Sequence, residues 1–210
     1  MDFDYDEEGN PKLKIILIGE KEIGKTQLIN IMNDTKFDED YKTTLSTTFL
    51  EKYIQIGKNI IHTFIWDTMG EEKTRAMLDI FYKGSKIVIL VYAVNNKSSF
   101  EELNEYWVDK IKEKLGNDII LGLVGNKNDL YKDKEVTDQE GEKYAADIGA
   151  KFLCTSAKTE NGRKAFKKYV CELIAEYFNK VQNKTKGKIE KRVTAKLDPK
   201  KIDNKGRKCC

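Results

Sequence analysis

The sequence predicts an α/β fold, with a six-stranded, mostly parallel sheet and helices on both faces. Two observations lead to this prediction. Short apolar segments alternate along the chain with segments whose apolar residues recur at helical spacing. Residues 86–94 and 119–124 are almost continuously apolar, as expected for strands covered on both faces. With 210 residues, 40% hydrophobic and 35% charged, the chain suits one core and a highly charged surface.

The strands have the clearest signals. A Gly57-Lys58-Asn59 turn joins two segments into an antiparallel hairpin, and the other strands are short apolar segments bounded by polar residues. The predicted strands are 12–18, 50–56, 60–67, 86–94, 119–124 and 151–155.

Helices are predicted between these strands, beginning with one over 24–33. Ser98 with Glu101, and Thr137 with Glu140, have the spacing of a capping box, in which side chains satisfy free backbone N–H groups at a helix start. The last helix has one apolar face, which we expect to lie in the core. This face consists of Phe166, Tyr169, Val170, Leu173, Ile174, Tyr177 and Phe178.

The charges divide the chain unevenly. Residues 180–210 hold 12 lysines or arginines and 3 acidic residues, a net charge of +9. Since the whole chain has a net charge of +3, residues 1–179 have a net charge of −6. We predict a flexible acidic arm at 1–11, one domain at 12–180 and a disordered basic tail at 181–210. An acidic body does not suit a general nucleic-acid binder, so no nucleic-acid partner is expected.

Neither a membrane-spanning segment nor a secretory signal is apparent. No segment approaches the roughly 18 apolar residues of a spanning helix, and the chain starts with acidic residues where a signal peptide is basic. We therefore expect a cytosolic protein. The four cysteines show neither disulfide nor zinc spacing. His62, in the middle of the hairpin, is expected to be a surface residue.

A glycine-containing loop follows the first predicted strand. Residues 19–26 read Gly-Glu-Lys-Glu-Ile-Gly-Lys-Thr, the spacing of a phosphate loop. Its backbone N–H groups can surround phosphate oxygens, and the helix that follows adds its positive dipole end. Lys25 is placed to reach the terminal phosphate, which also makes it a catalytic candidate, and Thr26 to bind Mg²⁺. The nucleotide-binding residues predicted here are Glu22, Ile23, Gly24, Lys25, Thr26 and Gln27.

A carboxylate should complete the magnesium site. Asp67 ends an apolar strand and is placed for this role, and Gly70, three residues later, can bring its N–H group close to the last phosphate. An aspartate and a glycine near a strand end are also common in ordinary turns. Together with the phosphate loop, they predict a metal–phosphate site.

Two further loops have the chemistry needed to select a purine. Asn126-Lys127-Asn128-Asp129 and Thr155-Ser156-Ala157-Lys158 each follow a predicted strand. Guanine presents two donors and a carbonyl acceptor. Asp129 can accept both donors, because an ionised carboxylate only accepts hydrogen bonds, and the Ala157 N–H can serve the carbonyl.

These motifs together resemble those of the small GTPases of the Ras superfamily, in order and spacing, over about residues 12–180. Segments 66–68, 81–85 and 90–92, with Cys209-Cys210, make the chain look most like a Rab protein. The matching motifs are 19–26, Thr44, 67–70, 126–129 and 156–158. The resemblance implies the P-loop fold of small G proteins and binding of GTP and GDP with Mg²⁺.

The resemblance also implies roles for individual residues. Phe37 is expected to stack on the guanine and Lys127 to lie along its face. Thr44 is expected to bind Mg²⁺ only when the third phosphate is present. The remaining base-side residues implied are Asn126, Leu130, Ser156, Ala157 and Lys158.

The same resemblance implies a switch. Thr44 and the Gly70 N–H are held by the third phosphate, so hydrolysis releases the loops at 38–49 and 67–82. Effectors, an exchange factor and a GTPase-activating protein are expected to bind through these two loops.

The chain departs from the pattern at the expected catalytic position. Glu71 stands where related proteins carry a glutamine that orients the attacking water. A carboxylate there can repel the phosphate or act as a general base, so the direction of its effect stays open. Lys21 and Glu22 replace small residues. Lys21 could sit near the transferred phosphate, block an activating protein, or form a solvated pair with Glu22.

The C-terminal end carries two adjacent cysteines. In Rab proteins this ending is doubly geranylgeranylated, so the resemblance implies that the prenylation machinery modifies Cys209 and Cys210. Two lipid chains anchor stably where one does so only marginally, and the basic tail can add attraction to an anionic membrane. The resemblance thus implies the cytoplasmic face of intracellular membranes, with a cytosolic pool. The alternatives are adventitious thiols and a solvated or weakly RNA-binding tail.

Three functions remain in competition at this point. The first is a Rab-like GTPase switch that regulates vesicle trafficking. The second, favoured by Glu71, is a nucleotide-locked adaptor that recruits effectors without significant turnover. A P-loop kinase or ATPase is a weaker third, which preference for ATP over GTP would support.

Overall fold

The computed structural model describes residues 3–35, 37–38, 48–68, 82–116 and 118–196, and it describes no side chains for residues 48, 105 and 184–196. The chain divides into two compact units, one of residues 2–177 and one of residue 1 with residues 178–210.

Six strands form one sheet, which confirms the predicted fold class. They lie in the order β2-β3-β1-β4-β5-β6, and every neighbouring pair is parallel except β2 with β3. The strands are β1 (Lys12–Ile18), β2 (Thr48–Ile56), β3 (Asn59–Asp67), β4 (Ile87–Ala93), β5 (Ile120–Asn126) and β6 (Lys151–Cys154).

The helices join the strands at most of the predicted places. The α-helices are α1 (Lys25–Met32), α2 (Lys97–Glu102), α3 (Val108–Leu115), α4 (Asp138–Ile148) and α5 (Glu160–Lys196). A π-helical turn (Leu103–Trp107) links α2 to α3, and a 3₁₀ turn (Tyr131–Asp133) precedes α4.

One of the two predicted capping boxes is present. At α4 the Thr137 hydroxyl accepts from the Glu140 N–H, and the Glu140 carboxylate accepts from the Thr137 N–H, as predicted. The Ser98 box is wrong, because α2 begins earlier and Asn96 caps it by accepting from the Ser99 N–H. Asparagine is an equally good N-cap residue.

The sheet brings the predicted site residues to one edge. Strand β4 is buried along its whole length, as its apolar run predicts, and the α5 face from Phe166 to Tyr177 is buried as well. In the parallel register Leu17 pairs with Asp67, and Ala93 with Asn126. Parallel strands end at the same edge, where ligands of open α/β sheets bind.

Residues 3–11 of the N-terminal arm make defined contacts, and the flexibility of the arm stays a prediction. Asp6 closes a tight turn, since its carboxylate accepts from the backbone N–H groups of Glu8 (3.0 Å) and Asn10 (2.7 Å). The ring of Phe3 packs edge-on against Tyr177, 5.8 Å between centroids. The acidic composition suggested a solvated arm, but Asx-type hydrogen bonding holds this segment.

The N-terminal arm attaches to the hairpin at His62. The predicted surface position of His62 is wrong. Its ring is 6% exposed and stacks on Tyr53 at 4.4 Å. Nδ1 lies 3.1 Å from the Asp6 carboxylate, and Nε2 lies 2.5 Å from that of Glu51. Burial acts to raise the pKa of Asp6, but hydrogen bonds from Asn10 and Glu8, together with His62, outweigh it and leave that pKa lowered.

The last helix is longer than predicted. Helix α5 runs to Lys196, although disorder is predicted from residue 181 onwards. The sequence lost its apolar spacing there, but lysine, arginine, glutamate and glutamine are good helix formers and can continue a helix that has already begun. Within the described part of the chain, no helix combines the length and apolar character needed to cross a membrane.

Candidate functional site

The candidate site lies at the carboxyl-end edge of the sheet. Loops that follow β1, β3, β5 and β6 meet there, and each carries one of the motifs that the sequence singles out. Hydrogen bonds between side chains and backbone join these loops to one another.

The phosphate loop packs so closely against neighbouring residues that two of its glycines leave no room for a side chain. Gly19 has φ 147° and Gly24 has φ 91°. A Cβ atom at Gly19 would lie 2.2 Å from the Val91 carbonyl oxygen, and one at Gly24 would lie 2.5 Å from the Asn126 amide nitrogen. Both positions therefore require glycine, which is the residue that the phosphate-loop spacing places there.

Lys25 is held inside the loop. Its side chain starts from the first residue of α1 and is 5% exposed. The ammonium group donates to the carbonyl oxygens of Gly19 (2.8 Å) and Glu20 (2.5 Å). Burial lowers the pKa of Lys25 to about 8, although the charges of Asp67 and Glu20 oppose this shift. A buried ammonium group inside a loop of phosphate-loop spacing is suited to a phosphate.

Thr26 and Asp67 form the predicted metal pair. The Thr26 hydroxyl donates to Asp67 Oδ2 at 2.5 Å, and Asp67 is 1% exposed. Burial raises the pKa of Asp67, while Thr26 and Lys25 act to lower it. Among the described residues, Asp67 Oδ1 has no hydrogen-bond partner. A buried carboxylate oxygen without a partner, beside a hydroxyl, fits the oxygen-ligand chemistry of Mg²⁺.

Asn126 joins the phosphate loop to the loop after β6. Its amide nitrogen donates to the Ile23 carbonyl at 2.8 Å, its amide oxygen accepts from the Ala157 N–H at 3.1 Å, and it is 1% exposed. The Ala157 N–H was predicted to serve a guanine carbonyl. In this structure it donates to Asn126, so a guanine carbonyl would have to share that donor.

Lys127 makes a second link to the phosphate loop. Its ammonium group donates to the Glu22 carbonyl at 2.5 Å. Burial lowers the pKa of Lys127, and the charges of Glu22 and Asp129 oppose that shift. Both linked residues have a positive φ, 65° for Lys127 and 61° for Glu22. Residues other than glycine adopt this left-handed backbone conformation only at a cost in free energy. No pattern in the sequence indicates this strain.

Asp129 is oriented by Ser156. The Ser156 hydroxyl donates to Asp129 Oδ1 at 2.5 Å, and it accepts from the N–H groups of Lys158 (3.1 Å) and Thr159 (3.3 Å). The backbone joins the same two loops, because the Asn128 N–H donates to the Thr155 carbonyl at 2.9 Å. Ser156 thus fixes the rotamer of the carboxylate that is predicted to read the base.

The other predicted residues differ in what the structure shows of them. The side chain of Ile23 is buried in the core, while Leu130 is 36% exposed. Gln27 bonds to the backbone of Asp38, and Phe37 is partly buried. Several predicted residues lie outside the described part of the chain: Thr44, Gly70, Glu71, Cys209 and Cys210.

Sequence reasoning missed one buried residue beside the site. The Thr68 hydroxyl donates to the Leu17 carbonyl at 2.7 Å, and Thr68 is 3% exposed. It ties the segment after Asp67 to the end of β1. One signal in the sequence could have indicated Thr68, because it directly follows Asp67, a predicted metal ligand.

The fold and this site define a phosphate-loop nucleotide-binding protein. Comparison with known proteins narrows the class. A family model described as the Ras family matches residues 14–176. Ras-related protein Rab-21 of Mus musculus is 42% identical over 149 residues, which cover 71% of this chain and 67% of that protein. Rab-21 of Geodia cydonium is 37% identical over 151 residues, which cover 72% and 66% respectively.

The chain therefore belongs to the Ras family, as a small GTPase most like a Rab protein. It spans about two thirds of the length of the curated relatives that it matches. Binding of GTP and GDP with Mg²⁺, hydrolysis of GTP, and general dependence on regulators and effectors come with this membership.

Proposed function

We propose that this protein is a GTP/GDP-dependent switch that regulates vesicle trafficking, with slow intrinsic hydrolysis. The nucleotide-binding part of this proposal rests on one observation. Lys25, the Thr26–Asp67 pair and the Ser156–Asp129 pair converge at one edge of the sheet. The trafficking role is supported by the similarity to Rab-21 proteins.

The phosphate end of the site is formed by α1 and the loop before it. Lys25 can exchange its two carbonyl partners for phosphate oxygens, since its ammonium group already lies inside the loop. Thr26 and Asp67 would hold Mg²⁺, with Thr44 as a third ligand when the third phosphate is present. A bound Mg²⁺ neutralises phosphate charge. Backbone N–H groups from Glu22 to Gln27 would complete the cradle.

The base end of the site selects guanine. Asp129 Oδ1 accepts from Ser156, which fixes the orientation of the carboxylate that would accept the two guanine donors. Asn126 and Lys127 hold this loop against the phosphate loop. Phe37 and Lys127 would cover the faces of the base, beside Leu130, Ala157 and Lys158.

The switch itself would lie in the loops at 38–49 and 67–82. Gly70 and Thr44 would contact the third phosphate, so loss of that phosphate would release both loops. We assign the binding of effectors, an exchange factor and an activating protein to these loops, because only they would differ between the nucleotide states.

Slow hydrolysis follows from Glu71. In place of a neutral amide that orients water, this position brings a carboxylate towards a highly charged phosphate. At about 8 Å and an effective dielectric of about 20, one pair of unit charges costs about 2 kcal/mol. If the rate is low enough, the protein would act as a nucleotide-locked adaptor, the second candidate function.

Glu71→Gln tests this point. We expect the substitution to raise intrinsic hydrolysis by up to about thirtyfold, because it removes the repulsion of about 2 kcal/mol and restores an amide. Single-turnover phosphate release from GTP-loaded protein measures the rate, and Glu72→Gln is the matched control for loss of a neighbouring charge. Ordinary Rab-like hydrolysis in the wild type, with no change in Glu71→Gln, would end the proposal of slow turnover.

Membrane attachment would come from the C-terminal end. Modification of both Cys209 and Cys210 by the prenylation machinery would supply two lipid chains, which are enough for stable anchoring. Lysines and arginines in the tail would add on the order of 1 kcal/mol each at an anionic surface. We assign the protein to the cytoplasmic face of intracellular membranes, with a cytosolic pool.

Replacing both cysteines tests the anchor. With Cys209→Ser and Cys210→Ser together, we expect the membrane-bound fraction to fall to background in cells, because the remaining lysines cannot replace two lipid chains. Fractionation measures the distribution, and Cys171→Ser controls for loss of a cysteine elsewhere. An unchanged membrane fraction in the double variant would contradict prenylation at these positions.

A further inference from the structure

Gln27 makes an unexpected connection between helix α1 and the segment that carries Phe37. The residue directly follows Thr26, yet its side chain is 7% exposed and turns toward Asp38. Its amide nitrogen donates to the Asp38 carbonyl at 3.0 Å, and its amide oxygen accepts from the Asp38 N–H at 3.4 Å. One side chain thus bonds both backbone groups of one residue.

These two bonds hold the peptide groups on both sides of Asp38. The Asp38 N–H belongs to the peptide bond with Phe37, and the Asp38 carbonyl belongs to the next peptide bond. Consecutive Cα atoms lie only 3.8 Å apart, so fixing these groups limits where the Phe37 ring can go. The other end of the connection is rigid, because Gln27 lies in α1 among buried Leu28, Ile29 and Ile31.

A buried amide at this position is costly unless both of its ends are bonded. The remaining buried side chains of α1 after Gln27 are apolar, so burial alone would be served by a leucine or methionine. The two hydrogen bonds to the Asp38 backbone therefore account for a glutamine, rather than an apolar residue, at this position.

We infer that Gln27 is a positioning residue that holds Phe37 over the guanine and thereby slows nucleotide release. The inference rests on the proposed function in one respect, the stacking of Phe37 on the base. This role is additional to the nucleotide-binding role predicted from the loop spacing, because both groups that the Gln27 amide contacts belong to the protein backbone.

Release of a fluorescent GDP from the full-length, magnesium-loaded protein tests the inference. We expect Gln27→Met to release it about tenfold faster than wild type, since two hydrogen bonds between neutral groups are lost with little change in volume. Gln27→Glu removes the donor and should act in the same direction. Gln55→Met is the matched control, because Gln55 is exposed on β2, and it should release at the wild-type rate.

A double-mutant cycle with Phe37→Ala separates positioning from a general structural effect. If Gln27 acts through Phe37, Gln27→Met adds little to the fast release of Phe37→Ala. An equal acceleration in both backgrounds would overturn the inference, and so would wild-type release from both Gln27 variants. If Phe37→Ala itself releases at the wild-type rate, the stacking role in the proposed function fails, and this inference fails with it.

Discussion

Asp129→Asn is expected to change which purine the protein binds. In the proposed function the carboxylate accepts both guanine donors, whereas an asparagine amide would present its own donors to one of them. Hydrogen bonds to a charged group contribute about 1.5–3 kcal/mol each, so affinity for GDP should fall roughly a hundredfold or more. Xanthine has a carbonyl where guanine has the amine, and the variant should bind xanthosine diphosphate better than the wild type does.

This prediction separates base selection from loss of structure. The asparagine oxygen can still accept from the Ser156 hydroxyl, which orients the residue at 2.5 Å in the wild type. Competition of GDP and xanthosine diphosphate against a fluorescent nucleotide measures both affinities. Asp133→Asn, an exposed acid in the 3₁₀ turn that follows, is the control and should leave both unchanged. A variant that retains full preference for guanine would contradict the role of Asp129.

Asn126→Ala is expected to impair both stability and nucleotide binding. The substitution leaves the Ile23 carbonyl and the Ala157 N–H without their partner in a buried region, at about 1–3 kcal/mol for each group. The free energy of unfolding should fall by about 2–6 kcal/mol. Affinity for GDP should also fall, because the phosphate loop and the base loop lose their shared anchor.

A conservative variant divides this effect between the two bonds. Asn126→Asp keeps an acceptor for the Ala157 N–H but cannot donate to the Ile23 carbonyl. If the link to the phosphate loop is the important one, this variant should be impaired nearly as much as Asn126→Ala. Denaturant titration and GDP binding measure the two effects, with Asn59→Ala on the exposed hairpin turn as control. Normal GDP binding by both Asn126 variants would refute the anchor.

The sheet could be predicted from the sequence because its signals are local. The continuous apolar run of β4, the hairpin turn at 57–59 and the capping box at Thr137 each depend on a few neighbouring residues. The N-terminal arm could not be predicted in this way. Its attachment to the hairpin depends on Asp6 meeting His62, residues far apart in sequence, whereas acidic composition alone suggests a solvated segment.

The candidate site shows the same division. Spacing predicts Lys25, Thr26 and Asp129 as site residues, because each lies at a fixed distance from a strand end. The links between loops were not visible in the sequence, since Asn126 and Ile23 are brought together only by the strand order. The bonds from Gln27 to Asp38 are of this second kind.

The nucleotide that copurifies with the protein shows whether its site selects guanine. Full-length protein purified with Mg²⁺ and no added nucleotide should release about one guanine nucleotide per chain on denaturation, identified by chromatography. We expect this nucleotide to be GDP or GTP. A magnesium-loaded sample that releases adenine nucleotide instead, or that contains none and does not bind added GDP or GTP, would contradict it.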